Sequence, residues 1–500
     1  MKTFSDQQIK FFEKKGFDIS TIFNQLDQFK KGTKFLNLLR PARLVDGIER
    51  LDEQRISNYL EVYNQQKKQY KIAKFIPASG AATRMFKSLY SFLEDGKENS
   101  DVGKFISGIK KFAFYNDLKL VIAKDGLSID QLLKTKDYKT VVEYLVTDKG
   151  LSYGNLPKGL LRFHINSMAK AVTPVYEHIK EAIDYVGEKA HLEFTVQENF
   201  KDAFISAIEE AKEQLNANQI TYNISFQKSH TDTIAVYADN SPVVLEDETI
   251  LLRPGGHGAL LDNLNDIEAD IVFVKNIDNV CAESVYSYTS TYKKILAGKL
   301  IDIKHQIAEH LSSLENYDGQ DEKFNLKIRD FIEHDLGVFW RRLCAFTPAQ
   351  KVQYFKEILN RPIRVCGMVK NEGEPGGGPF WVKDDLGRIS LQIVESSQID
   401  LKNEEQASIL KDASHFNPVD LVCSLSDVNG KKIDLKSFTD PDAVFISGKS
   451  YQGKDILALE HPGLWNGAMA NWSTIFVEIP IETFNPVKTI NDLLRKEHQN

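Results

Sequence analysis

Cysteine is scarce: four in 500 residues, at Cys281, Cys344, Cys366 and Cys423. They are widely scattered, and no pair has metal-ligand spacing, so the expectation is free thiols in a reducing compartment. Long hydrophobic runs are missing. Nothing approaches the roughly 18 consecutive apolar residues of a membrane-spanning helix, and the N-terminus shows no apolar signal core. A soluble cytoplasmic protein without a membrane partner is expected. An excess of positive charge is missing too: 63 lysines and arginines face 70 aspartates and glutamates, a net charge of −7. Nucleic-acid binders carry a basic patch or stripe, so no nucleic-acid partner is expected. A local basic pocket for a nucleotide remains compatible with this balance.

What is there begins with length. Five hundred residues exceed one ordinary core, which implies two or three domains or one large elaborated α/β domain. Ser5-Asp-Gln-Gln8 has the capping-box pattern, residues 22–35 have helical spacing, and Pro41 breaks the pattern. Residues 48–70 read as a polar helix. Residues 1–70 therefore read as a helical N-terminal region covering the first sheet. Residues 71–500 read as an α/β domain with helical insertions at about 88–152 and 285–360, the second including a helix over 324–344.

The chain is organised around residues 72–87. An apolar run ends at Pro77, a loop of tiny residues spans Ala78 to Ala82, and Thr83, Arg84 and Met85 open a helical pattern. Strand, small-residue loop and helix start together make a device for holding phosphate, because backbone N–H groups approach an anion closely and the helix N-terminus adds partial positive charge. Arg84 in the first turn can fork onto phosphate oxygens. A tight βα turn packed with Ala and Ser has the same residues.

Further motifs follow in order. Pro157-Lys158-Gly159 is a turn with one lysine. Residues 220–226 alternate with period two and end near Gln227 and Ser229. Gly255-Gly256-His257-Gly258 lets backbone and one imidazole come close to a ligand. Residues 269–276 form a near-continuous apolar run, as buried parallel strands do, and end in Asn276-Ile-Asp278-Asn279. A carboxylate at the C-terminal edge of a strand is where α/β sheets place ligands. A glycine-rich stretch over 371–381, a lid, a wall or a plain hairpin, precedes Glu395, Asn417 and a C-terminal Pro486-Val-Lys488-Thr.

These elements resemble, in type and order, those of the UDP-sugar pyrophosphorylases. Gly80-Ala-Ala-Thr83-Arg84-Met85 is similar to their Gly-x-Gly-Thr-Arg loop, with Ala82 in place of the second glycine. The chain also resembles an uncharacterised bacterial family of domains of unknown function. The resemblance implies a GT-A-like nucleotide-diphospho-sugar transferase sheet and a nucleotidyltransferase. The enzyme would move a nucleotidyl group, with uridylyl favoured, from a nucleoside triphosphate (UTP) to a sugar 1-phosphate. It implies that Arg84, Lys158 and Lys488 are catalytic and that Asp278 holds Mg2+. Ser79, Gly80, Ala81, Thr83, Gln227, Gly255, Gly256, His257 and Gly258 would bind the nucleotide, and Glu395 and Asn417 the sugar. Two other readings remain open: a non-catalytic nucleotide or sugar-nucleotide sensor, and a glycosyltransferase using an NDP-sugar. The latter usually carries Asp-x-Asp, of which Asn276-Ile-Asp278 supplies half.

Overall fold

The computed structural model describes residues 4–80, 82–373 and 376–499. The chain divides into two compact units. One comprises Met1–Lys71, Gln227–Phe273 and Ile295–Ile479; the other comprises Ile72–Phe226, Val274–Lys294 and Pro480–Asn500.

In the first unit, Ser5 and Gln8 cap helix Asp6–Lys14 reciprocally, and Gly32 at φ 77° ends helix Ile19–Lys31. These helices bury Phe12, Phe17, Ile22 and Phe29 against Ile234, Val236 and Leu459 of an antiparallel sheet. That sheet runs Leu252–Arg253, Thr233–Val236, Lys454–Glu460, Phe445–Tyr451. The N-terminal region is not wholly helical. Asn37–Pro41, Arg43–Leu44 and Gly47–Glu49 are strands, too short to show a period, with Leu38 and Pro41 as the buried anchors of the first. The polar helix starts only at Glu53, where the Asp52 carboxylate accepts the Arg55 N–H at 2.8 Å.

Strand Ser473–Glu478 runs parallel to Gly47–Glu49 and to Ile363–Lys370, and Asp420–Ser424 pairs antiparallel to the latter. A further antiparallel sheet runs Asn37–Pro41, Gly378–Lys383, Ile389–Val394, Val338–Phe339. The glycine-rich stretch thus leads into strand Gly378–Lys383; its Glu374 and Pro375 lie outside the described residues. The helix expected over 324–344 is Glu322–His334 and stops short, because Gly337 turns at φ 64° and a Cβ there would come within 2.7 Å of Leu391.

The second unit holds three parallel strands, Ile72–Pro77, His191–Thr195 and Thr221–Ser225. Pro77, Thr195 and Ser225 are register partners, so the three strands end level. Helices Pro174–Tyr185 and Lys201–Gln214 bury Val175, Ile179, Phe204 and Ile208 with strand residues Ile76, Leu192 and Phe194. The stretch 88–152 forms the helices Lys87–Asp95, Ser100–Gly108, Tyr115–Lys124, Ile129–Lys134 and Tyr138–Val146. They enclose a core of their own, including Phe105, Phe114, Leu118 and Leu145, into which Val487, Ile490 and Leu493 of the C-terminal segment also pack. Of the cysteines, Cys281, Cys366 and Cys423 are buried, Cys344 is exposed, and all four are free. No helix among the described residues is long and apolar enough to cross a membrane.

Candidate functional site

The site in the second unit is built on the level strand ends. After Pro77 the chain is held from inside. Ala78 N–H donates to Thr195 O at 2.8 Å, Ser79 O accepts from Gln197 Nε2 at 2.7 Å, and Gly80 O accepts from Lys158 N–H at 3.4 Å. With those carbonyls taken up, the N–H groups of Ser79 and Gly80 have no acceptor among the described residues. Gly80 is exposed, and a Cβ on it would meet nothing within 4 Å. Two adjacent amides beside open space are the material of an anion nest. Ala81 lies outside the described residues.

Ala82, where the pyrophosphorylase loop has glycine, is fully buried in the core of Met85, Phe86 and Leu161. The methyl group serves packing. Thr83 and Arg84 are exposed on a 3₁₀ turn, Ala82–Arg84. The expected helix start is therefore corrected. The α-helix begins at Lys87, so the Ser79 and Gly80 amides have no helix end behind them. The guanidinium of Arg84 makes no ion pair among the described residues.

The helical insertion returns the chain to this loop. Ala82 N–H donates to Leu156 O at 3.2 Å, which brings Pro157 and Lys158 alongside. The Lys158 ammonium lies 2.7 Å from Asp278 Oδ2 and 2.6 Å from Val487 O. Gly159 makes room for this approach: a Cβ there would sit 3.0 Å from both Ile277 and Phe204. Asp278 in turn is clipped to the C-terminal segment, its carbonyl accepting from Val487 N–H at 3.0 Å. Asn279 Oδ1 accepts from Asn485 N–H at 3.0 Å. Lys488 follows on that segment, exposed, its own N–H held by Asp492 Oδ2 at 2.8 Å and its ammonium 6.0 Å from the Phe484 ring. Loop, Lys158, Asp278 and the segment carrying Lys488 are thus linked by direct bonds.

Asp278 offers one carboxylate whose Oδ1 makes no hydrogen bond among the described residues. No group of three or more His, Cys, Asp or Glu suited to a metal occurs among them either. The donor set fits a magnesium ion of the kind completed by phosphate oxygens and water, and does not fit an all-protein metal cage.

Beneath the site lies a buried charge cluster that sequence reasoning missed. Glu181, on helix Pro174–Tyr185, bonds Lys74 through Oε2 at 2.8 Å and Lys275 through Oε1 at 2.6 Å. All three, and Lys293, are at most 2 % exposed. Burial raises the Glu181 carboxyl, but the charges of Lys275 and Lys74 outweigh it and hold the group well below the usual carboxylate range. Burial lowers Lys74 to about 8, partly offset by Glu181. Burial and the charge of Lys275 push Lys293 well below the ordinary lysine value. The available signal was a lysine inside each of two otherwise apolar strands.

The remaining candidates belong to the first unit and serve its loops. Gln227 Nε2 donates to Asp232 at 3.1 Å. A Cβ on Gly255 would come 2.3 Å from Thr231 O, one on Gly256 2.7 Å from Glu460, and one on Gly258 2.2 Å from Pro462 O. The room beside these glycines is taken by the unit's own backbone and side chains. Glu395 caps the turn Ser396–Gln398. Asn417 is buried, and its Oδ1 accepts from Val419 N–H at 3.1 Å, a turn-making bond. His257 stacks on Trp465 with ring centroids 5.6 Å apart, its Nε2 4.0 Å from Glu395 Oε1. Trp465 had no signal in the motifs. Gly255→Ala is expected to cost about 1–3 kcal/mol, as overpacking does, measured as a shift in the urea midpoint of unfolding.

The chain belongs to the family described as domain of unknown function (DUF4301), whose model matches residues 5–499. No curated protein matches it. Among solved structures it is similar to the uridine diphosphate N-acetylglucosamine pyrophosphorylase of Trypanosoma brucei in complex with an inhibitor. That match has 12% identity and a TM-score of 0.47, and covers 95% of this chain and 75% of that one. A mutant of UDP-glucose pyrophosphorylase from Leishmania major in complex with UDP-glucose matches at 13% identity and TM-score 0.44, over 98% of this chain and 79% of that one. A UDP-glucose phosphorylase of Trypanosoma brucei matches at 13% and 0.43, over 98% and 80%.

Proposed function

We propose that this chain is a sugar-1-phosphate nucleotidyltransferase on a GT-A-like sheet. It would transfer a nucleotidyl group, uridylyl by preference, from a nucleoside triphosphate to a sugar 1-phosphate and release pyrophosphate. The observation that carries the reading is the placement of Lys158, whose ammonium lies 2.7 Å from Asp278 Oδ2 while its main-chain N–H bonds Gly80 O of the Ser79–Gly80 loop. A fixed cation stands there beside open backbone donors at a strand end. The order of motifs supports it.

In this reaction a phosphate oxygen of the sugar phosphate forms a bond to the α-phosphorus. The bond from that phosphorus to the bridging oxygen breaks, and its electron pair leaves with pyrophosphate. The nucleophile is already an anion, so no strong base is needed, and the protein's work is positioning and charge compensation. Ser79 and Gly80 amides and Lys158 would hold the triphosphate, with Arg84 reaching it from the rim. Lys488 would bring the sugar phosphate against the α-phosphate. Magnesium bound at Asp278 would supply further positive charge to phosphate oxygens. The His257 and Gln227 loops are assigned to the nucleotide and Glu395 and Asn417 to the sugar on motif order alone. A cytoplasmic setting, where both substrates are made, agrees with this chemistry.

Lys488→Ala is expected to lower kcat by on the order of a hundredfold with the melting temperature unchanged, because the side chain is exposed while its segment is anchored by Val487 and Ile490. Turnover close to wild type would pass the bridging role to another cation. Competition among UTP, GTP, CTP and ATP in pyrophosphate release tests the base. Preference for a purine would reject the uridylyl assignment.

A further inference from the structure

The geometry points to His178 as a positioning residue: its imidazole holds the carbonyl of Ile277 and thereby aims the next residue, Asp278, at Lys158. The inference rests on the nucleotidyl-transfer reading for its kinetic consequence only.

Helix Pro174–Tyr185 opens with Thr173 as cap and Pro174 in its first turn, and buries an unusual set of polar side chains, Glu177, His178 and Glu181. Each reaches a different part of the site. Glu177 bonds His164 Nδ1 at 2.9 Å, and His164 Nε2 meets His498 of the C-terminal segment at 2.9 Å. Glu181 holds Lys74 and Lys275, whose strands lead into the glycine loop and into Asp278. His178 is fully buried, and its Nε2 lies 3.2 Å from Ile277 O. A carbonyl only accepts, so Nε2 carries the proton. Nδ1 is buried without a hydrogen-bond partner among the described residues, as suits the bare nitrogen of a neutral ring. Burial and the charge of Lys74 keep that ring neutral.

Ile277 is fixed on its other side as well, its N–H donating to Pro77 O at 3.2 Å. The residue before Asp278 is thus held at both of its backbone polar atoms, its N–H by the end of the loop strand and its carbonyl by His178. Its side chain packs where Gly159 leaves room beside Lys158. Fixing this residue sets the direction of the Asp278 carboxylate and of the carbonyl that takes Val487 N–H. Small misplacements at a reacting centre are costly in rate.

The test compares His178→Leu, which removes the donor, with His178→Gln, which keeps an N–H at similar reach, each also combined with Asp278→Asn. Pyrophosphate release from UTP with glucose 1-phosphate, N-acetylglucosamine 1-phosphate and galactose 1-phosphate is followed for all variants. His178→Leu should lower kcat by on the order of ten- to a hundredfold with KM nearly unchanged. His178→Gln should restore most of it, and the leucine change should add little on the Asp278→Asn background. Amide hydrogen exchange gives an arm independent of activity. His178→Leu should speed exchange at Val487 by on the order of tenfold, with helix Pro174–Tyr185 as protected as in the wild type, and His178→Gln should reverse this. Unchanged exchange at Val487, or loss of protection spread equally through the helix in both variants, overturns the inference. Losses additive with Asp278→Asn also overturn it. If the wild-type chain turns over none of these pairs, the exchange arm alone decides.

Discussion

Lys158→Ala is expected to lower kcat by on the order of 100- to 1000-fold, the loss typical of one preorganised electrostatic stabiliser. The ammonium is the fixed cation most tightly built into the site, bonded at 2.7 Å to Asp278 and 2.6 Å to Val487 O, with 14% of its side chain exposed. Its partners set its position before any substrate arrives, which is what makes a charge effective in a transition state. The fold should survive. Asp278 keeps 22% exposure, so water can replace the ammonium. Lys158→Arg should rescue poorly, because a planar fork does not match a niche built for one point charge between a carboxylate and a carbonyl. Steady-state kinetics beside thermal melts checks both statements, and an active Lys158→Ala enzyme would remove Lys158 from the chemistry.

The second large effect concerns stability. Glu181→Ala is expected to cost about 3–5 kcal/mol, the penalty for leaving buried charge uncompensated, because it strips Lys74 and Lys275 of their shared carboxylate at once. Replacing the cluster with apolar residues of like size, Lys74→Met with Glu181→Leu and Lys275→Met, should recover much of the loss. Chemical denaturation of the three forms tests this. The pH dependence has a defined sign. The Glu181 carboxyl is lower in the folded state than its ordinary 4.5. The folded protein therefore binds fewer protons than the unfolded chain, and the Glu181 contribution is whole above about pH 4.5 and is lost as the pH falls below it. Lys74, lowered to about 8 from 10.5, also binds fewer protons when folded, so its contribution to stability rises with pH between those values. A denaturation midpoint for Glu181→Ala that differs from wild type as much at acid pH as at neutral pH would contradict the assignment.

Much of this architecture was legible. The strand that ends at Pro77, the small-residue loop at Gly80 and the strand Thr221–Ser225 follow from an apolar run, a proline, small residues and a period of two, because those signals are local. The capping box at Ser5 was legible for the same reason. The three short strands of residues 37–49 were not, since two to five residues carry no period and their register comes from distant partners such as Gly378–Lys383. The glycines at 255, 256 and 258 were visible, but their reason was not. Close approach to a ligand and close approach to Pro462 and Glu460 require the same missing side chain. Lys158 and Asp278 were legible as separate motifs. Their contact, and the way His178 and Glu181 support it from one helix, depends on packing across about a hundred residues of chain.

The proposed reaction joins a nucleotide to a sugar phosphate. The most direct measurement incubates the purified protein and magnesium with UTP labelled in the β-phosphate and a panel of sugar 1-phosphates, and quantifies labelled pyrophosphate and UDP-sugar together. The expected result is one pyrophosphate per UDP-sugar formed, only when a sugar phosphate is present, and near-complete loss of both products in Lys158→Ala. Pyrophosphate release indifferent to every sugar phosphate, or tight UTP binding with neither product formed across the panel, would contradict it.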